Sequence, residues 1–436
     1  MNRCQSWGRY PKAVQEIRPV RWRDTTVPNS GDKSILPYGL GRSYGDSCLN
    51  DGQALLETSG MNRFIAFDET SGILRCEAGM SLDDILKLIV PKGWFLPTTP
   101  GTKFITVGGA IANDIHGKNH HISGTFGCHV RAFELLRSDG NRTLCTPESN
   151  TDLFKATIGG LGLTGLITWA EFGLKKVGNA WIDLESIKFT GIGEFLELSK
   201  ESDEGWEYTV SWIDCVAQGK SMGRGIFMRG NHSPASVLSR KVHADPKITA
   251  LFDCPDMMLN SLSIKVFNTV YYGKQRTKYV RSRVHYDPFF YPLDAVNEWN
   301  RVYGKRGFFQ YQFVIPFNGG KETMEAILRI IAASKQGSFL SVIKTFGKKV
   351  SPGMLSFPKP GITLALDFPN RGESTLKLFD ELDTVVAAAG GSVYPAKDAR
   401  MSADFFQKAY PQWRDFSEFI DPKFSSSFWR RVTTGS

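Results

Sequence analysis

Three glycine-rich turns within the first 170 residues constrain this chain more than any other feature. The longest occupies residues 98–119, where a Pro-Gly turn is followed by the Gly108-Gly109 pair and the polar run Asn113-Asp114-Ile115-His116-Gly117-Lys118-Asn119. Glycine reaches φ values closed to other residues and lets amide N–H groups approach a ligand closely, so such a run suits a phosphate-bearing guest. A second turn, in residues 35–50, carries Gly39, Gly41 and Gly45 with the donors Arg42 and Ser43. It has neither the Gly-Lys-Ser/Thr ending of a Walker loop nor the spacing of a dinucleotide fingerprint. The third places Gly159, Gly160, Gly162 and Gly165 just ahead of a strand-like run. Singly, each is explained by a tight turn or a closely packed helix. One backbone-lined cleft explains all three.

The flanking pattern is legible. Residues 53–58 and 72–78 read as short strands, the second leading to Ser81 as a helix N-cap, with Leu82, Ile85, Leu86 and Ile89 on one face. Residues 94–97 return as a strand, which puts the 98–119 run at a strand-to-helix turn, where amide donors are at hand. Residues 127–135 and 142–146 read as strands joined by Ser138-Asp139-Gly140-Asn141, and Asn150-Thr151-Asp152 starts a helix.

A length of 436 residues favours two domains, or one with a large insertion. The formal net charge of +9 points to an anionic partner, but zinc-finger spacing, an RNP-type signature and a lysine-rich tail are missing, so nucleic acid is not expected. No apolar run approaches the roughly 20 residues that cross a bilayer, and residues 1–18 lack the apolar core of a secretory leader. The chain is therefore expected to start at Met1. Seven scattered cysteines without a Cys-x-x-Cys pair argue against a disulfide framework and a cysteine zinc site, so a cytoplasmic location is expected. His116, His120, His121 and His129 raise the question of a metal, but their spacing fits no convincing helical ligand pair. Hydrogen-bonding histidines and no metal are expected.

With those turns in hand, residues 37–47, 98–121 and 153–167 resemble the flavin-binding segments of vanillyl-alcohol-oxidase-type FAD enzymes. Within that group they resemble most the oxidase components of decaprenylphosphoryl-β-D-ribose 2-epimerases. The likeness continues through Gln310-Tyr311-Gln312-Phe313, Lys344-Thr345-Phe346-Gly347 and Tyr394-Pro395-Ala396-Lys397-Asp398-Ala399-Arg400. It implies a two-domain α+β fold: an FAD-binding domain over residues 1–178, an antiparallel-sheet substrate domain over 179–391, and a C-terminal segment, 392–436, rejoining the first. The charged break at Lys175-Lys176-Val177-Gly178-Asn179 agrees with the first boundary.

The resemblance also assigns residues. Gly39, Gly41, Arg42, Ser43, Tyr44 and Gly45 would line the FAD diphosphate and ring, with Gly101, Thr106, Val107, Gly108, Gly109, Asn113, His116, Ile167 and Tyr394 completing that pocket. Covalent members of the group often carry histidine where this chain has Arg42, so FAD is expected to be non-covalent. Gln310, Gln312, Lys344, Thr363, Ala365 and Lys397 would hold the substrate. Lys397 leads the catalytic set, since a lysine stabilises developing alkoxide charge, with His116, Gln312 and Lys344 beside it and His121 as a further orienting group. The plain alternative for Lys397 is a surface ion pair with Asp398 or Glu381. The mycobacterial form has asparagine and cysteine at the positions of Thr363 and Ala365, so sugar preference should differ, and electrophiles aimed at that cysteine should form no adduct here.

The implied reaction is oxidation of a secondary hydroxyl, C2 of a polyprenyl-phosphate-linked pentose, to a ketone. A quinone would reoxidise the flavin and a short-chain-type reductase would complete the epimerisation in cell-envelope polysaccharide synthesis. Residues 261–285 mix Lys265, Lys274, Arg276, Lys278, Arg281 and Arg283 with Phe267, Tyr271, Tyr272 and Tyr279, which suits peripheral contact with the inner face of the plasma membrane or, equally, a solvated charged face. The alternatives are an oxygen-dependent free sugar or alditol oxidase, a metal-dependent hydrolase and a non-catalytic lipid-binding module.

Overall fold

The computed structural model describes residues 4–234, 248–250, 252–255 and 259–433. Its N-terminal part holds a parallel sheet of β1 (Glu16–Pro19), β2 (Ile35–Tyr38) and β3 (Ala54–Glu57), with β3 central. A five-stranded antiparallel sheet follows, built from β4 (Phe64–Asp68), β5 (Ile73–Glu77), β6 (Val130–Leu136), β7 (Arg142–Cys145) and β8 (Leu166–Gly173) in the order β4-β5-β8-β6-β7. Helices α1 (Leu82–Ile89), α2 (Val107–Ala112) and α3 (Thr151–Thr157) fill its connections. Ser81 caps α1 as expected, accepting the Asp84 N–H at 3.1 Å, and Leu82, Ile85, Leu86 and Ile89 are all buried. The strand expected from residue 127 begins at Val130. Residues Phe126–His129 form a 3-10 turn because the Gly127 N–H is drawn to the buried Asp114 carboxylate, 2.8 Å away, and not to a neighbouring strand.

The larger part is one eight-stranded antiparallel sheet. Its strands are β9 (Trp181–Phe189), β10 (Tyr208–Ile213), β11 (Gly225–His232), β12 (Tyr279–His285), β13 (Phe308–Ile315), β14 (Ser341–Phe346), β15 (Gly361–Pro369) and β16 (Ser392–Val393), in the order β12-β9-β11-β10-β14-β15-β13-β16. The helices of this part are α4 (Ile192–Ser202), α5 (Ser261–Lys274), α6 (Tyr286–Phe290), α7 (Gly320–Ala333) and α8 (Glu373–Ala388). Successive strand residues point to opposite faces. Thus Phe309, Tyr311 and Phe313 of β13 and Leu364, Leu366 and Phe368 of β15 join the core with Phe195 of α4, Ile327 and Ile331 of α7, and Phe379 and Leu382 of α8. The intervening residues are left for the other face.

After β16 the chain returns across the N-terminal layers through α9 (Ala403–Ala409) and α10 (Ser427–Thr433). Ile35 forms a parallel bridge with Phe424, and Arg431 of α10 donates to Asp46 at 2.7 Å and Asp398 at 2.8 Å. Among the described residues no helix is long and apolar enough to cross a membrane. A further tie lies in the interior: Lys103, 2% exposed, places its ammonium 3.2 Å from Asp83 of α1 and 2.9 Å from Asp287 of α6. Removing the cation takes the ammonium from between the buried Asp83, which keeps Lys87 at 2.9 Å, and the largely buried Asp287, so Lys103→Ala should lower unfolding stability by about 3–5 kcal/mol. Chemical denaturation reads this directly; a loss under about 1 kcal/mol, the level of a surface pair, would contradict it.

Candidate active site

Between the glycine turns and the open face of the large sheet lies a cavity of about 670 Å³, in the upper half of the range of about 300–1,000 Å³ usual for ligand pockets. Gly39, Gly41, Arg42, Ser43, Tyr44, Gly101, Thr106, Gly108, Gly109, Asn113, His116, Ile167 and Tyr394 line it on one side. Gln310, Gln312, Lys344, Thr363, Ala365 and Lys397 line it on the other. Three expected residues stand apart. The Val107 side chain is fully buried in the core beside α1, since the first turn of α2 must pack on that sheet. Gly45 is required by packing: a Cβ there would lie 1.7 Å from the Asp398 carbonyl oxygen. His121 turns away and bonds the Trp206 carbonyl through Nε2 at 2.9 Å.

The anion cradle also moves. At the start of α2 the Val107 N–H goes to the Met80 carbonyl (2.9 Å), that of Gly108 to Ala78 (2.7 Å), and that of Gly109 to the Thr106 hydroxyl (3.1 Å). Those amides are occupied within the protein. By contrast, the N–H groups of residues 39–43 donate to no acceptor among the described residues. Gly41 makes this run possible with φ +63°, a left-handed value costly for other residues. Arg42 lies flat on Trp7, its guanidinium carbon 3.8 Å from the ring centroid, and its Nε donates to the Phe104 carbonyl at 3.2 Å. Five consecutive amides with no acceptor among the described residues, beside the partly buried Arg42 guanidinium, are the kind of donor set that suits a diphosphate, and the lining residues fit an FAD-sized guest.

The sheet supplies the opposite wall by alternation. Gln312 pairs in register with Ala365, Gln310 with Asp367, and Lys344 with Thr363, so these side chains share one face. The Gln312 amide donates to His116 Nε2 at 3.0 Å, and His116 Nδ1 has no hydrogen-bond partner among the described residues. Burial, then the Lys344, His120 and Lys397 charges, hold His116 well below its ordinary value, so the ring is neutral. Lys397 is not on the surface: its ammonium lies 3.8 Å from the Tyr44 ring centroid, while Asp398 accepts the Arg400 and Met401 amides and Arg431. Burial lowers Lys397, with Asp367 pulling the other way. Burial raises Asp367, against the Gln310 hydrogen bond at 2.5 Å and the Lys397 charge.

Two residues of this wall were not singled out from the sequence. Lys118, within the 98–119 run, lines the cavity and donates to the Phe290 carbonyl at 3.2 Å; burial pushes it down to about 8. Asp367 lines the cavity as well, and the period of two from Thr363 through Ala365 was the signal that could have found it. Burial, then the Lys118 and Lys397 charges, push Lys344 down to about 7, and its Nζ donates to the Gly117 carbonyl at 3.2 Å. Three lysines thus converge on a space where, among the described residues, Asp367 is the one lining carboxylate. The histidine run disperses: His116 goes to Gln312, His121 to Trp206 and His129 to the Ser123 carbonyl, with His120 against the Phe346 ring.

Comparison with known proteins bears on this geometry. An FAD binding domain model matches residues 27–146, which contain both the free amide run and α2. The chain is 35% identical to decaprenylphosphoryl-beta-D-ribose oxidase of Mycolicibacterium smegmatis, over 99% of this chain and 97% of that protein. The chain belongs to this oxidase family. It is an FAD-dependent oxidoreductase with the two-domain α+β fold of vanillyl-alcohol-oxidase-type flavoproteins. An uncharacterised Streptomyces coelicolor protein is 31% identical over 81% of the chain and 100% of its own length. Mouse L-gulonolactone oxidase is 30% identical over 36% of the chain and 34% of its own length.

Two outcomes follow for members with this site. With arginine at position 42, acid precipitation should leave all flavin in the supernatant; flavin fluorescence in the denatured protein band would contradict a non-covalent cofactor. Lys344 titrates near 7 when folded, against 10.5 ordinarily, so between those values the unfolded chain binds more protons and stability rises with pH. Lys344→Met in flavin-depleted protein should therefore stabilise by about 1–3 kcal/mol below pH 7, with the gain fading toward pH 10. Urea melts at pH 6 and 9 check this, and equal gains at both would refute it.

Proposed function

We propose that this protein oxidises C2 of a pentose carried on a polyprenyl phosphate, giving the 2-keto sugar as the first half of an epimerisation. The observation that carries the reading is the meeting of Lys118, Lys344 and Lys397 with Gln312 and His116 in the one cavity that residues 39–43 also line. The named activity of the mycobacterial relative supports the substrate class. Residues 1–178 and 392–436 then carry most of the FAD contacts and 179–391 most of the substrate contacts, with His116, Lys118 and Lys397 added to the latter from the first two segments.

FAD, when bound, supplies a two-electron acceptor for the hydride that leaves the carbinol carbon. The hydroxyl proton must leave as well. Lys397, lowered by burial, takes that proton as the neutral amine or steadies the developing alkoxide as the ammonium, with Asp367 beside it to share the charge. Lys118 and Lys344 hold the phosphate as point charges, since neither has an acidic partner within the cavity other than Asp367. The Gln312 amide and the neutral His116 fix the sugar hydroxyls. Tyr394 holds the turn below them by donating to the Asn113 carbonyl at 2.8 Å.

The short-chain-type reductase and the quinone acceptor belong to this reading as partners. So does peripheral membrane contact: α5 exposes Leu262, Val266 and Val270 beside Lys265 and Lys274, and Arg276 follows. The other basic residues of that segment are engaged, Lys278 with Glu194 (2.8 Å), Arg281 with Glu185 (2.8 Å) and Arg283 with Asp183 (2.6 Å).

Anaerobic bleaching of the flavin decides the substrate: polyprenyl-phosphate-linked pentose should bleach it and free pentoses should not. Bleaching by free alditols alone would favour a sugar oxidase. Lys397→Met should slow the bleaching by about 10²–10⁴-fold with FAD content retained. Bleaching in the parent protein should rise with pH as Lys397 loses its proton, and the variant should lack that limb; an unchanged profile would remove Lys397 from the proton transfer.

A further inference from the structure

The geometry points to an isoprenoid groove on the apolar half of the same sheet face, starting beside the lysines and opening under α5. It rests on the polyprenyl-phosphate reading and names where the carrier chain lies. Two residues before Lys344 on β14, Val342 lies on the same face and pairs in register with Trp212 of β10. Val210 of β10 pairs with Met228 of β11, and Leu184 of β9 and Val284 of β12 continue the face. All of these line the cavity, and none can ionise.

On the reverse face the same strands pair Asp183 with Arg283 at 2.6 Å and Glu185 with Arg281 at 2.8 Å and Arg229 at 2.9 Å at one end, and bury Ile187, Phe189 and Phe227 against Phe195 of α4 at the other. The apolar face forms a floor of the cavity, with Val210 and Trp212 buried, and toward α5 Val342, Phe267 and Tyr271 are 37%, 45% and 36% exposed. Trp212 gives its indole N–H to the Phe339 carbonyl at 3.1 Å and stacks near Tyr271, 4.8 Å between centroids, so only its apolar surface is on offer. From β14 to β9 is three strand spacings, roughly 14 Å of uncharged floor. The lysines stand at one end of it, which fits a phosphate head with an apolar chain running away toward the outward residues of α5. A free sugar would leave this floor wet.

The test uses the flavin-loaded protein and a fluorescently labelled polyprenyl phosphate bearing no sugar, with binding followed by anisotropy in mixed micelles. The parent protein should bind it. Val342→Glu, at an exposed position that spares folding, and Met228→Glu, deeper in the groove, should each weaken binding about tenfold or more, with flavin absorbance reporting that both remain folded. No binding by the parent, or variants that bind as it does, overturns the groove. If the labelled chain binds and the variants lose it while pentose-loaded carrier fails to bleach the flavin, the groove stands and the oxidation reading falls. If the carrier bleaches the flavin but the labelled chain binds both variants normally, the reverse holds.

Discussion

Two-residue alternation on the eight-stranded sheet is the constraint on which the site depends. The residues that must be apolar to hold α4, α7 and α8 are the odd positions of β13 and the even positions of β15. Their neighbours are thereby fixed on the far side, and there the chain places Gln310, Gln312, Thr363, Ala365 and Asp367. A slip of one residue in β13 would turn Tyr311 and Phe313 into the cavity and Gln312 into the core, so the same packing that stabilises the domain also sets the register of the polar groups. Three strands from different parts of the chain act as one rigid wall for this reason, and rigid support is what positions a reacting group against its partner.

The opposite wall is built on a different principle. It rests on backbone amides beside the Arg42 guanidinium, and among the described residues no strand or helix claims the donors of residues 39–43. Residues 39–43 leave β2 without entering another element, with the left-handed Gly41 bending the path. At α2 the donors look equivalent in sequence, but the short helix packs beside β8 and its first amides are bound to Ala78 and Met80 in the turn after β5. The glycines there allow close packing; Gly108 stands against Ala78, where an added Cβ would lie 3.2 Å from the carbonyl oxygen.

This contrast explains how far the sequence could be read. Local signals carried well: the Ser81 cap, the apolar face of α1, and the strands around the glycine turns depend on residues near one another. Hydrogen-bond ownership did not carry, because whether an amide is free depends on what a distant segment brings to it. Asp114 is the clearest case. It is buried and accepts from Ser356 at 2.6 Å, more than two hundred residues along the chain, as well as from Ser351 and the Gly127 N–H, and so reshapes the start of β6. Lys397 shows the same dependence, since next to Asp398 it reads as half of a surface pair and only the fold separates the two. The basic run after residue 261 was half misleading, because its acidic partners lie on β9 and α4.

The lysine wall has a consequence for how a ligand arrives. Lys118, Lys344 and Lys397 are held below their ordinary values by burial, and Lys344 also by the charges of the other two, so near neutrality the empty wall sheds part of its positive charge. A phosphate entering between them reverses that balance and draws protons back from the solvent. An anion settling there would be bound together with protons, so its affinity would fall as the pH rises through the range in which these lysines lose their charge.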